Sequence, residues 1–354
     1  MRYFVLPPSY DGGMPRANRR SPATTTVAEP LAPVGSRVAR RRATRRRHRR
    51  QLIGVLCALS LVGLGTGVVV FRPTPPVRRA PPQAHARKRK PPVIAATHRV
   101  APGPEDLFAV PSIASYLAGT TDDVTAAVYD EVTGETSVYR PGVAQDTASI
   151  IKVDILATLL AEDQAHGEAL TPAEDGLSQG MIERSDNDDA QDLWNAEGGA
   201  SAVASFDTTA GLTQTTPDAA GYWGLSTTTA ADQVQLLRQV AYTNNVLTDG
   251  SRDYELDLMS HVESDQAWGV SAGVTAGATV ALKNGWLPLD AGGWQVNSIG
   301  YINGVGRDYV VAMLSNGNAT ETQGIDTLQG LSALIWQALA PTPATPSAPT
   351  GAAG

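Results

Sequence analysis

The sequence predicts an α/β protein of the α+β type, in which an antiparallel sheet is flanked by helices and carries an inserted all-helical lobe. Strand-like segments occur at both ends of the folded region, within residues 124–139 and 279–314. The segment between them, residues 171–262, has helical patterning instead. Because a run of helices separates the two groups of strands, we expect the strands to join in one sheet and the helices to form a separate lobe.

The distribution of charge divides the 354-residue protein near residue 100. Residues 1–100 contain 21 Lys and Arg and two acidic residues, whereas residues 101–354 contain seven basic and 33 acidic residues. An apolar content of 42% excludes a wholly disordered protein. We expect one folded domain, residues 105–340, between a basic disordered tail at 1–50 and a second disordered tail at 341–354.

Residues 51–71 form an uncharged, mostly apolar run that, as a helix, matches the roughly 30 Å hydrocarbon core of a membrane. Nine arginines lie within residues 37–50, so the positive-inside rule places residues 1–50 in the cytoplasm and the folded domain outside. The prediction is a single-pass anchor followed by a Pro- and Arg-rich linker, residues 72–104. Secretion after cleavage is the alternative, because Arg49-Arg50 resembles a twin-arginine export signal. The apolar run explains the basic tail, so nucleic acid is not an expected partner.

The folded domain is predicted to open with a β-hairpin. Residues 124–129 and 136–139 have strand-like composition and flank the turn segment DEVTG. Residues 149–162 then repeat apolar side chains at helical spacing, with Asp146 and Thr147 available as N-caps. This helix is expected to face the core.

The lobe and the rest of the sheet follow in sequence order. Helices are predicted over Gly176–Arg184, Asp188–Asn195, Ala200–Ala210, Thr228–Thr243 and Tyr254–Val262, strands over Thr279–Lys283, Trp294–Ile302 and Asp308–Leu314, and a final helix over Thr322–Leu339.

Residues 105–340 lack the residues that several common hydrolytic and metal-binding sites require. This region has two histidines, His166 and His261, no cysteine and no G-x-S-x-G motif, which argues against a zinc site and a hydrolase nucleophile elbow. A Ser-His-Asp triad stays open. The acidic run at 186–189 lacks the turn glycine and the distal glutamate of a calcium loop. The prediction is therefore no metal site and no cofactor.

Lysine is rare in the domain, which contains only Lys152 and Lys283. A desolvated lysine can lose its proton, whereas arginine stays charged. Ser149 and Lys152 lie at i and i+3, so they share one face of the predicted helix. An amine at this position can take the proton of the serine, and the helix N-terminus favours the negative charge that develops.

Three short motifs occur in a fixed order: S-I-I-K at 149–152, S-D-N at 185–187 and K-N-G at 283–285. Together they resemble the S-x-x-K, S-D-N and K-T-G set of class A β-lactamases and penicillin-binding proteins. The resemblance covers residues 105–340 and implies the β-lactamase/D,D-peptidase fold, whose order of hairpin, serine helix, helical lobe, three strands and final helix matches the predicted order.

The resemblance implies a role for each motif. Ser149 would be the acylated nucleophile and Lys152 its proton partner. Ser185 would pass a proton to the leaving nitrogen, and Asn187 would hold the substrate amide. Lys283 would supply positive charge to a substrate carboxylate and to the serine of the second motif.

The strand that carries the third motif would complete the substrate-binding edge. The oxyanion hole would consist of the backbone N–H groups of Ser149 and Trp286, and Asn284 and Gly285 would contact substrate beside them. Asp186 is expected to be structural. Trp286 and two other tryptophans, Trp223 and Trp294, could also line a groove, although core packing is the stronger interpretation of all three indoles.

Three departures from the family pattern affect these expectations. Asn284 stands where the family usually has a hydroxyl, so recognition of a carboxylate is expected to differ. Only 36 positions separate the serines of the first two motifs, which predicts a more open cleft. No E-x-x-N pattern occurs between residues 187 and 283, where β-lactamases place the glutamate that activates the deacylating water. Asp218 is a possible deacylation base, with an ordinary loop acid as the other interpretation.

The resemblance thus implies an extracytoplasmic serine hydrolase that forms an acyl-enzyme through Ser149 with β-lactams or peptidoglycan-like peptides. Two alternatives stay open. The first is a penicillin-binding D,D-peptidase with slow deacylation, and the second is a non-catalytic cell-wall binding module. The expected partners are such a substrate and a membrane contacted through residues 51–71.

Overall fold

The computed structural model describes residues 106–290 and 292–340. The predictions for the basic tail, the apolar run at 51–71, the linker at 72–104 and the tail at 341–354 lie outside these residues. Within the described ranges, no helix has both the length and the apolar character that crossing a membrane requires.

The described residues contain eight α-helices and seven strands, which follow the predicted order. The helices are α1 (Pro111–Gly119), α2 (Ile151–His166), α3 (Pro172–Glu183), α4 (Asn187–Glu197), α5 (Ala200–Ala210), α6 (Ala230–Ala241), α7 (Asp249–Ser260) and α8 (Glu321–Ala338). The strands are β1 (Asp123–Asp130), β2 (Glu135–Tyr139), β3 (Gln145–Asp146), β4 (Thr227–Thr228), β5 (Thr279–Pro288), β6 (Trp294–Gly304) and β7 (Arg307–Asn318).

One five-stranded sheet joins the two ends of the domain, in the order β2-β1-β7-β6-β5. Every neighbouring pair is antiparallel, and β1 pairs with β7 from Asp123 opposite Asn316 to Asp130 opposite Tyr309. Helices α2 to α7 lie between β2 and β5 in the sequence and form the inserted lobe. The predicted α+β fold is therefore confirmed, and β5, which carries the third motif, is an edge strand.

The two faces of the sheet bury different sets of helices. Side chains of a strand alternate between faces. In β1, Ala127 contributes to the core shared with the helical lobe, whereas Ala126 and Val128 contribute to the core shared with α1 and α8. The sheet thus separates a terminal helical layer from the lobe, and the three motifs lie on or beside the lobe side.

Helix α2 is buried more completely than its apolar spacing predicted. Residues 151–160 are all buried, including Lys152 and Asp154, so the helix is surrounded rather than packed by one face. It begins with a 3-10 turn at Ala148–Ile150. The predicted caps are wrong: the Thr147 hydroxyl makes no capping hydrogen bond and instead points at the C=O of Trp223, 3.4 Å away.

Candidate active site

Ser149 lies in the 3-10 turn that leads into α2, at the junction of the sheet and the lobe. The residue before it, Ala148, has φ 46°, a left-handed conformation that costs a non-glycine residue energy and often occurs at functional sites. Asn297 of β6 holds this turn, because its side-chain amide donates to the C=O of Asp146 at 2.8 Å and of Thr147 at 2.9 Å. A buried amide of the sheet therefore fixes the backbone that presents the Ser149 hydroxyl.

Lys152 connects the first motif to the second. Its Nζ lies 2.7 Å from the C=O of Ser185, 3.1 Å from the Ser185 Oγ and 2.8 Å from the Asn187 Oδ1. The amine also lies 4.9 Å from the centre of the Trp223 ring. The carbonyl and amide oxygens can only accept, so Lys152 donates to both of them.

Lys283 reaches the same hydroxyl from β5. Its Nζ lies 2.9 Å from the Ser185 Oγ and 3.0 Å from the C=O of Asn284. Ser185 itself has φ 53°, so the turn that carries the second motif is also held in a left-handed conformation. The Ser185 hydroxyl therefore lies between two lysine amines, each 0% exposed.

Burial changes the protonation of both lysines. Desolvation, and secondly the positive charge of Lys283, hold the pKa of Lys152 well below its ordinary value, although Asp186 and Asp189 act in the opposite direction. Desolvation lowers the pKa of Lys283 to about 7. A neutral Lys152 keeps two protons for its two carbonyl acceptors and leaves one lone pair, which is what a general base needs.

Ser149 and Lys152 are close in sequence, but their side chains are not directly bonded. Among the described residues, the Ser149 Oγ makes no hydrogen bond, and the three close polar atoms of the Lys152 amine belong to Ser185 and Asn187. The structure thus brings Lys152, Ser185, Asn187 and Lys283 into one network, and the half-buried nucleophile candidate lies beside it.

The edge of β5 closes the site opposite Ser149. A Cβ added at Gly285 would lie 2.5 Å from the Ser149 N and 2.9 Å from the Ile150 N, so only glycine allows this close approach. The C=O of Asn284 accepts from the Lys283 amine, and the backbone groups of Trp286, two residues on, lie on the same side of the strand as those of Asn284. An oxyanion hole formed by the N–H groups of Ser149 and Trp286 stays a prediction, and the close approach of Gly285 to the Ser149 N agrees with it.

The side chain of Asn284 differs from its predicted role as a substrate contact. It is 1% exposed, and its Nδ2 donates to the C=O of Gln266 at 2.7 Å and of Trp268 at 3.1 Å. Because side chains alternate along a strand, Asn284 lies on the opposite face of β5 from Gly285 and Lys283. Its side-chain amide binds protein rather than facing the cleft.

The tryptophans pack as the stronger interpretation predicted. Trp286 lies against Trp268, with ring centroids 5.8 Å apart, and Trp223 is 2% exposed beneath Lys152. The indole of Trp286 belongs to the face that packs on α8, so the contribution of this residue to the cleft is its backbone.

Asp218 lies in a turn, and one of its two carboxylate oxygens is used within that turn; its role as a deacylation base stays a prediction. Its Oδ1 accepts the N–H of Ala220 at 3.0 Å and of Tyr222 at 2.9 Å, and its own N–H donates to the Ser226 Oγ. Among the described residues, no carboxylate is hydrogen-bonded to the side chain of Ser149, Lys152 or Ser185. No group of three or more His, Cys, Asp or Glu in the described ranges could hold a metal ion.

Asn297 and Gln266 are site-supporting residues that the sequence reasoning missed. Asn297 is fully buried in the predicted strand Trp294–Ile302, and the Gln266 Nε2 donates to the C=O of Arg184, directly before Ser185. The signal in the sequence was a segment with three amide or hydroxyl side chains, Q-V-N-S at 295–298, inside that predicted strand.

Comparison with known proteins agrees with this arrangement. The family model described as the beta-lactamase enzyme family matches residues 171–339, which include the second and third motifs. Over this range, just under half of the protein, the domain is similar to the beta-lactamase enzyme family. The matched range begins after α2, so the assignment of the first motif rests on the geometry around Ser149 and on the fold.

Solved structures show the same fold at low sequence identity. A class A beta-lactamase from Mycobacterium abscessus aligns with a TM-score of 0.55 and 22% identity over 64% of this protein and 96% of that one. PBP-A aligns with a TM-score of 0.56 and 20% identity over 68% of this protein and 98% of that one. A curated relative, named "Putative lipoprotein LppW", of Mycobacterium tuberculosis, is 26% identical over 225 residues, 58% of this protein and 69% of the relative.

Proposed function

We propose that this beta-lactamase-like domain is a serine hydrolase that forms an acyl-enzyme through Ser149 with an amide substrate, either a β-lactam or a peptidoglycan-like peptide. The observation that carries the proposal is the network in which Lys152, Ser185, Asn187 and Lys283 share hydrogen bonds beside the turn that presents Ser149. A domain that only binds has no need of two buried lysines on one hydroxyl.

The chemistry follows from these positions. Lys152, neutral through desolvation, removes the proton of the Ser149 hydroxyl as its Oγ forms a bond to the carbonyl carbon of the substrate. The N–H groups of Ser149 and Trp286 bind the oxygen that gains negative charge. When the C–N bond breaks, the leaving nitrogen takes a proton from the Ser185 hydroxyl, which recovers one from the Lys152 ammonium. Water then hydrolyses the ester and releases the acid.

Slow deacylation is the second candidate, and the position of Asp218 favours it. The Oδ1 of Asp218 accepts two N–H groups of its own loop, and among the described residues no hydrogen bond joins its carboxylate to the first or second motif. Without a base for water, an acyl-enzyme with a β-lactam lasts long, as in a penicillin-binding D,D-peptidase. A mutant of PBP-A, one of the proteins with this fold, has been solved as an acyl-enzyme complex with penicillin G.

We further propose that the domain works outside the cytoplasm. The apolar run at 51–71 with its preceding arginines supports export with retention in the membrane. The relative named a lipoprotein supports the same side of the membrane.

The test of the nucleophile uses the full-length protein and a fluorescent penicillin. Ser149→Ala should abolish covalent labelling on a denaturing gel, while the matched variant Ser112→Ala, at an exposed serine of α1, should label like the wild type. Both variants should keep the thermal midpoint of the wild type. Labelling that survives Ser149→Ala contradicts the assignment of the nucleophile.

A chromogenic cephalosporin distinguishes the two enzyme candidates. A burst of about one equivalent followed by little turnover supports slow deacylation, whereas steady turnover supports a β-lactamase that activates water by another group. Neither burst nor label in a folded protein favours a non-catalytic cell-wall binding module and contradicts the proposed chemistry.

A further inference from the structure

The segment from Glu263 to Val270 lies against the turn that carries the second motif. The N–H of Glu263 donates to the C=O of Glu183 at 2.9 Å. The side chain of Gln266, 8% exposed, donates to the C=O of Arg184 at 2.7 Å. This segment thus holds the two residues that immediately precede Ser185.

The same segment is bound to the sheet on its other side. The Asn284 Nδ2 donates to the C=O groups of Gln266 and Trp268, and the Ser298 Oγ accepts the N–H of Val270 at 2.9 Å. Asn284 and Ser298 are opposite each other in the pairing of β5 with β6. A continuous series of hydrogen bonds therefore runs from β5, next to Lys283, through Gln266 to the residue before Ser185.

This series spans the two parts of the site that must stay in register. Lys283 belongs to β5 and Ser185 to the turn between α3 and α4, yet the Lys283 Nζ and the Ser185 Oγ are only 2.9 Å apart. A hydrogen bond weakens steeply when its atoms separate by several tenths of an ångström. Because Ser185 has a left-handed backbone, its turn has a conformation to relax toward if the support is removed.

We propose that Gln266 and Asn284 are positioning residues that fix the Ser185 hydroxyl against the Lys283 amine. The proposal rests on the proposed function in so far as Ser185 and Lys283 act there in acylation. Asn284, the residue after the motif lysine, would therefore act on the site by supporting other residues rather than by contacting substrate. Its amide donates to two carbonyl groups, whereas the single hydroxyl usual at this position could donate to only one.

The test removes the donors without changing charge or size greatly. Asn284→Leu and Gln266→Met keep the approximate shape of each side chain and lose the N–H groups that donate to Gln266 and Arg184. A matched control is Gln164→Met, because the Gln164 amide likewise donates to a backbone carbonyl, that of Val246, but in the helical lobe away from the motifs.

Two measurements are made on the full-length protein. The first is the acylation rate with a fluorescent penicillin. The second is the pH titration of the lysine side chains by NMR with isotope-labelled lysine, in which the protein has four lysines and Lys283→Arg assigns the Lys283 signal. Asn284→Leu and Gln266→Met should each lower the acylation rate at least about tenfold. Both should move the Lys283 midpoint up by about one pH unit or more, because water reaches the amine once the contact with Ser185 loosens.

The control and the double variant complete the test. Gln164→Met should leave both measurements unchanged, and the double variant should be no worse than the larger single effect, since both residues belong to one series of hydrogen bonds. Folded variants with unchanged rate and unchanged Lys283 midpoint overturn the proposal. If a variant fails to fold, the shorter Gln266→Asn is measured in the same way. If the wild type takes no label, the proposed function fails, and the Lys283 titration still decides the positioning role.

Discussion

Replacing Asp207 with asparagine is expected to stabilise the helical lobe at neutral and alkaline pH and to flatten the pH dependence of its unfolding. Asp207 of α5 and Asp154 of α2 are neighbouring carboxyl groups in the lobe, 3% and 0% exposed, and each changes the pKa of the other. Glu255 and Asp232 add negative charge nearby. Two carboxyls can share a hydrogen bond only when one of them holds a proton.

The size of the effect follows from the protonation of this pair. Burial raises the pKa of Asp207 to about 7, although the neighbouring Asp154 acts in the opposite direction, and the charge of Asp232 adds to the rise. Burial and the adjacent Asp207 raise the pKa of Asp154 well above its ordinary range. An unfolded aspartate titrates near 3.9, so the folded state binds the proton more tightly. Its contribution to stability is fully present below about pH 4 and is lost as the pH rises through about 7. Between pH 5 and pH 7 the loss is about 3 kcal/mol, at roughly 1.4 kcal/mol per pH unit.

The measurement is thermal unfolding of the full-length protein, followed by circular dichroism from pH 4 to pH 8. For a domain of this size about 3 kcal/mol corresponds to roughly 6 to 12 °C in Tm. Asp207→Asn donates to Asp154 without needing a proton from solvent, so its Tm should exceed that of the wild type at pH 8 and not at pH 4. Asp253→Asn, at an exposed acid of α7, is the control. Parallel profiles for Asp207→Asn and the wild type would refute the shared-proton pair.

Three further predictions concern the site. Gly285→Ala should slow acylation about 100-fold and lower the free energy of unfolding by about 1 to 3 kcal/mol, because the added Cβ meets the Ser149 N. Labelling with penicillin measures the first effect and a thermal melt the second. The control Gly176→Ala, at a helical glycine with open space, should instead stabilise the domain by about 1 kcal/mol. Acylation by a carboxylate-bearing penicillin should fall as the pH rises through about 7, where Lys283 loses its charge, and Lys283→Arg should lack this alkaline limb; a flat wild-type profile to pH 9 would contradict the role of the ammonium. Asn297→Leu should destabilise the domain by about 1 to 3 kcal/mol and slow acylation, since two carbonyl groups of the nucleophile turn lose their donor; unchanged Tm and rate would count against the support from β6.

The fold was predictable from the sequence wherever apolar spacing repeated long enough. The hairpin, the buried helix, the lobe and the last three strands were each found, with ends displaced by a few residues. Helix α1, Pro111–Gly119, was missed because it is short and lies beside a Pro-rich region. Strands β6 and β7 extend further than predicted because polar residues such as Asn303 and Asn316 end the apolar pattern but continue the pairing, Asn303 opposite Asp308 and Asn316 opposite Asp123.

The candidate site was predictable as a set of residues and not as a network. The residues within each motif are close together in the sequence, and their spacing carries the chemistry. The supporting contacts are long-range: Gln266 reaches a carbonyl 82 positions away, and Asn297 reaches one 150 positions away. No local pattern specifies such pairs. The alternation of side chains along a strand could have placed Asn284 on the opposite face from Lys283. It would then have predicted that the Asn284 side chain does not face the cleft.

The protonation of the site is decided by local burial rather than by the excess of acid in the domain. Residues 101–354 carry seven basic and 33 acidic residues, a field that favours charged lysines. The Nζ atoms of Lys152 and Lys283 both lie within 3.1 Å of the Ser185 Oγ, so they are at most about 6 Å apart. At an effective dielectric constant of about 20, two positive charges at that distance repel by about 3 kcal/mol, or roughly two pKa units. At physiological ionic strength, salt screens the field of surface acids over about 8 Å. Salt has much less effect on the repulsion between two fully buried amines, and it does not remove their desolvation. One lysine is therefore expected to be neutral near pH 7, and we assign this to Lys152, whose pKa is lowered both by desolvation and by the charge of Lys283 and whose two protons have two carbonyl acceptors.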